Sequence, residues 1–131
     1  MTVFVDTSGL FAYLHKDDPA NQRATAALRD VASSGIQLVT HSYLVSESIS
    51  LVQRRLGWRA LDVLMDALLP LIEVRWVDGE LHEQALGAMR TARSSVSFVD
   101  WVSFALMRRE GITRAFAFDA DFERQGFELL R

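Results

Sequence analysis

The chain has 131 residues, 50% of them hydrophobic and 24% charged, which fits one globular domain over residues 1–131 and excludes a mainly disordered chain. It contains no cysteine, ruling out disulfide scaffolds, thiol nucleophiles and cysteine-ligated zinc or iron–sulfur sites. The net charge of −3 argues at first against a nucleic-acid partner, although Lys16 is the only lysine and every other basic residue is Arg, the planar bidentate phosphate binder.

In chain order, Val3-Phe4-Val5 reads as a buried strand ending at Asp6, followed by a short helix near residues 8–16. Asp18-Pro19 predicts a capped helix start, leading a helix with Ala24, Ala27, Leu28 and Val31 on one face and a stop at Gly35. Gln37 to Thr40 is a second strand. A third helix begins around Ser42 with a Val45, Ile49, Val52, Leu56 stripe, and Gly57 breaks it. A fourth, with Leu61, Leu64, Met65 and Leu68, stops before Pro70. Leu71 to Val77 is expected as a strand, and Asp78 as the cap of a helix bearing Leu81, Ala85, Ala88, Met89 and Ala92. After the polar break at Ser94–Ser97, Phe98, Val102, Ala105 and Leu106 define a helix ending at Gly111. Ala115 to Phe118 is a strand ending at Asp119, and a final strand lies near Phe127–Leu130.

Strands that alternate with helices and are apolar on both faces imply a parallel sheet covered on both sides, an α/β fold built as a three-layer α/β/α sandwich. Such folds bind ligands at the carboxyl ends of their strands. Two strands here end in aspartate, Asp6 and Asp119, while Asp100 opens a helix and Glu47 lies within another, where both could approach the same rim. Each acid has a plain alternative. Asp6 could cap the first helix, Ser97-Phe98-Val99-Asp100 fits a capping box, Asp119 and Asp121 could be turn residues, and Glu47 could pair with Arg54. Gathered in one cleft, Asp6, Glu47, Asp100 and Asp119 would repel one another unless a cation sat among them. Oxygen ligands without His or Cys select Mg²⁺ or Mn²⁺ over zinc or copper. Setting those four acids aside leaves 13 acidic against 14 basic side chains, so a metal-filled cleft would offer a polyanion a neutral-to-positive path.

Val3-Phe4-Val5-Asp6-Thr7-Ser8, Glu47, Ser97-Phe98-Val99-Asp100 and Phe116-Ala117-Phe118-Asp119-Ala120-Asp121-Phe122, in order along essentially the whole chain, resemble the PIN-domain family and in particular the VapC-type toxin ribonucleases. The resemblance implies a metal-dependent endoribonuclease acting on single-stranded or looped RNA by in-line attack of metal-activated water, leaving 5′-phosphate and 3′-hydroxyl ends. By position Asp6 and Asp100 match the principal metal-binding aspartates, and Glu47 and Asp119 the acids that bind a second ion or orient water. Ser8 matches the hydroxyl that supports the first aspartate, while Ser97, which opens the capping-box pattern, is expected as a supporting residue beside Asp100. Ala117 stands where the family often has Thr or Ser, and Asp121 could share the role of Asp119. The family also implies a homodimer and a VapB-like antitoxin whose tail covers the acidic groove. An RNA-processing nuclease without an antitoxin, or a catalytically silent interaction module, are the alternatives.

Receiver domains and aspartyl-phosphate phosphatases are disfavoured by Ser8 two residues after Asp6 and by the absence of a lysine late in the chain, and no glycine-rich phosphate loop is present. No apolar run reaches the roughly 18 residues of a membrane span and no leader pattern is read before Asp6, so the cytoplasm is the expected compartment. His15, His41 and His82 are expected in surface or cap roles. Trp58, Trp76 and Trp101 are expected in core or dimer packing, with base stacking as the alternative. Arg90 and Arg93, near the polar break, are either phosphate contacts or a solvated face.

Overall fold

The computed structural model describes residues 1–130. Five parallel strands form one sheet: β1 (Thr2–Val5), β2 (Gln37–His41), β3 (Glu73–Arg75), β4 (Arg114–Phe116) and β5 (Glu128–Leu130), in the order β3-β2-β1-β4-β5. The helices are α1 (Thr7–Leu14), α2 (Asn21–Ser33), α3 (Ser42–Arg55), α4 (Trp58–Val63), α5 (Gly79–Ala92), α6 (Phe98–Glu110) and the single turn α7 (Asp121–Arg124). From β1 the chain steps outward through β2 to β3, then returns to place β4 on the other side of β1. With right-handed crossovers this puts α1–α4 on one face and α5–α7 on the other, the expected three-layer sandwich. The direction of winding reverses between β1 and β4, so the crevice outside their carboxyl ends is the topological switch point at which such sheets bind ligands. Asp6 and Asp119 follow those two strands.

The central strands are apolar because both of their faces are covered: Val3, Phe4, Val5, Val39, Ala115 and Phe116 are all buried. Phe4, Phe104, Phe122 and Phe127 pack as one aromatic cluster, and burying each such ring contributes about 1.5–3 kcal/mol. Gly9 marks the tightest approach, since a Cβ there would lie 2.5 Å from the Phe116 carbonyl oxygen. Only glycine lets α1 sit this close to β4.

Several element ends differ from the sequence expectation, most of them where a side chain captures the backbone. The first helix ends at Leu14, and α2 starts at Asn21 rather than at Asp18-Pro19. Asp18 instead accepts the Ala20 N–H (2.8 Å) in a turn, while the Asn21 amide donates to the Ala12 and Tyr13 carbonyls at the end of α1. The fourth helix does not stop before Pro70. It widens into a π-turn over Leu64–Leu68 and then tightens into a 3₁₀ turn, Leu69–Leu71, whose early position accommodates the proline that has no N–H to donate. The strand expected from Leu71 to Val77 is only Glu73–Arg75, because Leu71 closes that turn and the Val77 N–H donates to Ser42 Oγ (3.0 Å). Likewise β4 ends at Phe116 and not at Phe118, whose N–H is taken by Ser8 Oγ (2.9 Å). Trp101 is buried as expected, whereas Trp58 and Trp76 lie outside the core. No described helix is long and apolar enough to cross a membrane.

Candidate active site

Asp6 leaves β1 with extended backbone and caps α1, its Oδ2 accepting the Ser8 N–H (3.0 Å) and the Ser8 hydroxyl (2.6 Å). Because Ser8 Oγ also accepts the Phe118 N–H, its proton is directed at Asp6, and one hydroxyl ties the end of β1 to the segment carrying Asp119. The cap and the site are therefore the same residue. Asp6 is only 4% exposed, and among the described residues its Oδ1 has no hydrogen-bond donor. Burial pushes the Asp6 carboxyl up to about 6, with the Ser8 hydrogen bonds opposing and the Asp119 and Glu47 charges adding to the rise.

Asp100 is the third residue of α6, and Ser97 caps that helix by accepting the Asp100 N–H (3.2 Å). This is the forward half of the expected capping box. The Asp100 carboxyl is pushed up to about 8 by burial first and then by the charges of Asp6, Asp119 and Glu47. Its carboxylate, that of Asp119 beyond β4 and that of Asp121 at the start of α7 each present an oxygen within 4.8 Å of the others. Asp121 thus stands beside Asp119 instead of replacing it. Asp119 Oδ1 also accepts the Asp121 N–H (2.9 Å), so the turn role and the cluster coexist.

Glu47 comes from α3, and its charge is felt by both Asp6 and Asp100. No ion pair with Arg54 or any other cation forms at Glu47 among the described residues, which removes the structural-pair alternative. Of the seven residues singled out from sequence, Asp100, Asp119 and Asp121 bring carboxylate oxygens within 4.8 Å of one another, Asp6 and Glu47 lie outside that trio and reach Asp100 through the repulsion of their charges, Ser8 holds Asp6, and Ser97 caps the helix that carries Asp100.

Sequence reasoning missed the hydroxyl and imidazole bonds that aim these helices. Thr7 and Ser48, each adjacent to a site acid, share a buried 2.8 Å hydrogen bond that fixes α3 against α1 and so sets where Glu47 lies. His41 is fully buried at the β2–α3 junction. Its Nδ1 accepts the Leu44 N–H (3.2 Å) as the cap of α3. Since Ser103 gives its proton to the Val99 carbonyl (3.1 Å), His41 Nε2–H donates to Ser103 Oγ (2.9 Å), pinning α6 one turn beyond Asp100. Burial lowers the His41 pKa to about 4, keeping the ring neutral in that tautomer.

The donor set fits a hard divalent cation: carboxylate oxygens only, with no His or Cys ligand, and two acids whose ionisation is opposed by neighbouring negative charge that a cation would offset. Residues 3–128 match the model of the PIN domain. The chain belongs to the PIN-domain family. It is 37% identical, over 98% of both chains, to the 23S rRNA-specific endonuclease VapC20 of Mycobacterium tuberculosis. The crystal structure of that sarcin–ricin-loop-cleaving toxin superposes with a TM-score of 0.81 and 34% identity over 95% of each chain. VapBC2 of Rickettsia felis, solved with a promoter DNA fragment, matches with a TM-score of 0.74 at 12% identity over 98% of this chain and 97% of that one. FitAcB of Neisseria gonorrhoeae gives 0.72 at 16% over 100% and 97%, and at these identities both likenesses concern the fold.

Proposed function

We propose that this PIN-domain protein is a Mg²⁺- or Mn²⁺-dependent endoribonuclease, the toxin of a VapBC-type pair, that hydrolyses phosphodiester bonds in a looped segment of ribosomal RNA. The observation that carries the reading is the acid cluster at the β1/β4 switch point, with Asp6 and Asp100 held above the ordinary carboxylate range and no cation beside Glu47 among the described residues. The identity to VapC20 over nearly the full length of both chains supports RNA as the substrate and a ribosomal loop as its class. The likeness to VapC20, a toxin, supports an antitoxin as partner. The cytoplasm, where ribosomes are, is the matching compartment, and a homodimer is the expected assembly.

Asp6, Asp100, Asp119 and Asp121 would hold the metal, with Glu47 at the edge of the group. A bound divalent ion would neutralise the scissile phosphate, lower the pKa of a coordinated water and stabilise charge on the leaving oxygen. Glu47, which pairs with no cation among the described residues, is the carboxylate proposed to accept the proton of an attacking water. Ser8 keeps Asp6 in one orientation through two hydrogen bonds to a single oxygen, leaving Oδ1 for ligation. Thr7–Ser48 and His41–Ser103 hold α3 and α6 so that Glu47 and Asp100 need not reorganise when substrate arrives.

The test is cleavage of a synthetic sarcin–ricin-loop hairpin by the purified protein. Cleavage should require Mg²⁺ or Mn²⁺, cease with EDTA, fall at least about 100-fold in Asp6→Asn with the fold unchanged, and leave 5′-phosphate ends. Cyclic 2′,3′-phosphate ends would mean attack by the ribose hydroxyl and sink the hydrolytic reading. A wild type that binds a partner protein yet never cleaves RNA would make it a silent interaction module.

A further inference from the structure

Beside Asp121, between the turn that joins α5 to α6 and the helix α7, lies a pocket of about 330 Å³ whose wall includes Trp101, Ser94, Ser95, Arg124 and Gln125. Trp101 is 7% exposed, and its indole N–H is one of only two buried side-chain polar atoms without a partner among the described residues. An unpaired donor shielded from water costs about as much as a lost hydrogen bond, so a native fold that retains one calls for an explanation. The other groups around the pocket share its polarity. Ser94 Oγ accepts the Val96 N–H (3.3 Å), which leaves its own proton to give. Gln125 spends its carbonyl oxygens on Arg108, leaving its side-chain amide to donate. Arg124 has a 71% exposed side chain and, among the described residues, engages Asp121 (2.7 Å) through one nitrogen. Arg93, next to Ser94 in the chain, and Arg90, in the last turn of α5, are exposed and make no ion pair among the described residues. Arg93 moreover holds left-handed backbone (φ 52°), the only described non-glycine residue to do so. Besides the apolar Ala92 and Val96, and Asp121, whose charge Arg124 already faces, the wall offers hydrogen-bond donors and one cation. Its complement is an acceptor-rich anion.

We propose that this pocket is an RNA subsite that receives a phosphate neighbouring the scissile one through the Ser94 and Ser95 hydroxyls and Arg124, and that a small shift of the ring on binding brings the Trp101 indole N–H, buried in the free protein, onto the same phosphate. The proposal rests on the ribonuclease reading and adds where the strand runs: from the acid cluster over Asp121 towards the α5–α6 turn. One side of the cleft then binds phosphate through metal, the adjoining side through protein donors.

The experiment measures binding of the sarcin–ricin-loop hairpin to the full-length protein by fluorescence anisotropy, with Ca²⁺ replacing Mg²⁺, alongside KM and kcat in Mg²⁺. Trp101→Phe keeps a ring and deletes the N–H; Ser94→Ala/Ser95→Ala alters exposed residues and serves should the first variant not fold. Each should weaken binding and raise KM about five- to tenfold with kcat nearly unchanged. A methylphosphonate at the neighbouring linkage should cost the wild type a similar factor and Trp101→Phe little more. In ¹H–¹⁵N spectra the Trp101 indole signal should move downfield as RNA is added. Wild-type affinity in both variants, or a loss confined to antitoxin binding, overturns the subsite while the nuclease reading stands. If the wild type neither binds nor cleaves RNA in any divalent ion, both fall together.

Discussion

Replacing Asp100 by Asn should stabilise the metal-free protein, and the gain should grow with pH. In the fold the Asp100 carboxyl is pushed from 3.8 to about 8, by burial and by the charges of Asp6, Asp119 and Glu47. Between those values the folded chain binds a proton that the unfolded chain has released, so stability falls as pH rises from about 4 to 8. At about 1.36 kcal/mol per pH unit the full span is roughly 6 kcal/mol; partial solvent access screens the charges, and about half of that, roughly 3 kcal/mol, is the working figure. Removing an acid from the first turn of α6 forfeits about 0.3–1 kcal/mol of helix-dipole interaction. The net expectation at pH 8 in EDTA is a gain of about 2 kcal/mol, or roughly 6–10 °C in Tm. Well below pH 4, where Asp100 is uncharged in the folded and the unfolded chain alike, the two proteins should melt alike. Saturating Mg²⁺ or Mn²⁺ should raise the wild type by about 2–3 kcal/mol at 100-fold over Kd and the variant much less, closing or reversing the gap. The assay is urea or thermal unfolding of both proteins at pH 4, 6 and 8, with EDTA and with metal. A variant less stable than wild type at pH 8 in EDTA, or a gap independent of pH, would leave Asp100 a helix-capping residue and refute the cluster argument.

Ser8→Ala removes the hydroxyl that Asp6 and the Phe118 N–H both use, and should cost about 1–3 kcal/mol in chemical unfolding while lowering kcat more than it raises KM. Since the Ser8 hydrogen bonds hold the Asp6 pKa down, the same variant should move the acid limb of the pH–rate profile upward. Gly9→Ala drives a methyl to 2.5 Å from the Phe116 carbonyl oxygen and should destabilise by about 1–3 kcal/mol or more, visible as a lower urea midpoint at unchanged slope. His41 is neutral in the fold at about 4 against 6.5 when free, so the stability it contributes above pH 6.5 is lost as pH falls to 4, a span of up to about 3 kcal/mol. His41→Asn should flatten that part of the stability profile, and an unaltered acid limb would show that another group governs it.

The alternation of short apolar runs with helical stripes made the parallel sheet legible, since strands buried on both faces must be apolar throughout and the crossovers must be amphipathic. Asp6 and Asp119 were readable for the same reason: each is the first carboxylate after a buried strand. Glu47 and Asp100 were less so, because helix periodicity says which face a residue occupies but not which sheet edge that face meets. The resemblance to a known family joined them, and the reversal of strand order supplied the physical cause. What could not be read were bonds made across long separations. Thr7–Ser48 spans 41 residues and His41–Ser103 spans 62, and a serine on a helix carries no mark of its partner. The misplaced strand ends have a related origin. Phe118 and Val77 have strand-like sequence, but their N–H groups go to Ser8 and Ser42, an outcome decided by tertiary proximity and not by propensity.

Asp78 provides the internal control for reading Asp100. Both lie at helix starts and both could be explained by capping alone. Asp78 caps α5, accepts the Leu81 N–H (2.8 Å) and faces Arg109 at 3.0 Å, and these contacts hold its carboxyl below the ordinary range, led by the Leu81 bond. That is what the end of a helix does to a carboxylate serving the fold: N–H groups and a cation favour the charged form. Asp100 occupies a comparable position and goes the other way, because the groups nearest it are burial and three more acids. A capping role gives no reason to retain Asp6, Glu47 and Asp119 around it, since each raises the cost of ionising the next and a neutral cap such as Ser97 already satisfies the Asp100 N–H. The arrangement becomes consistent when a divalent cation is counted as part of the folded site, for its charge offsets the repulsion that the polypeptide leaves unopposed.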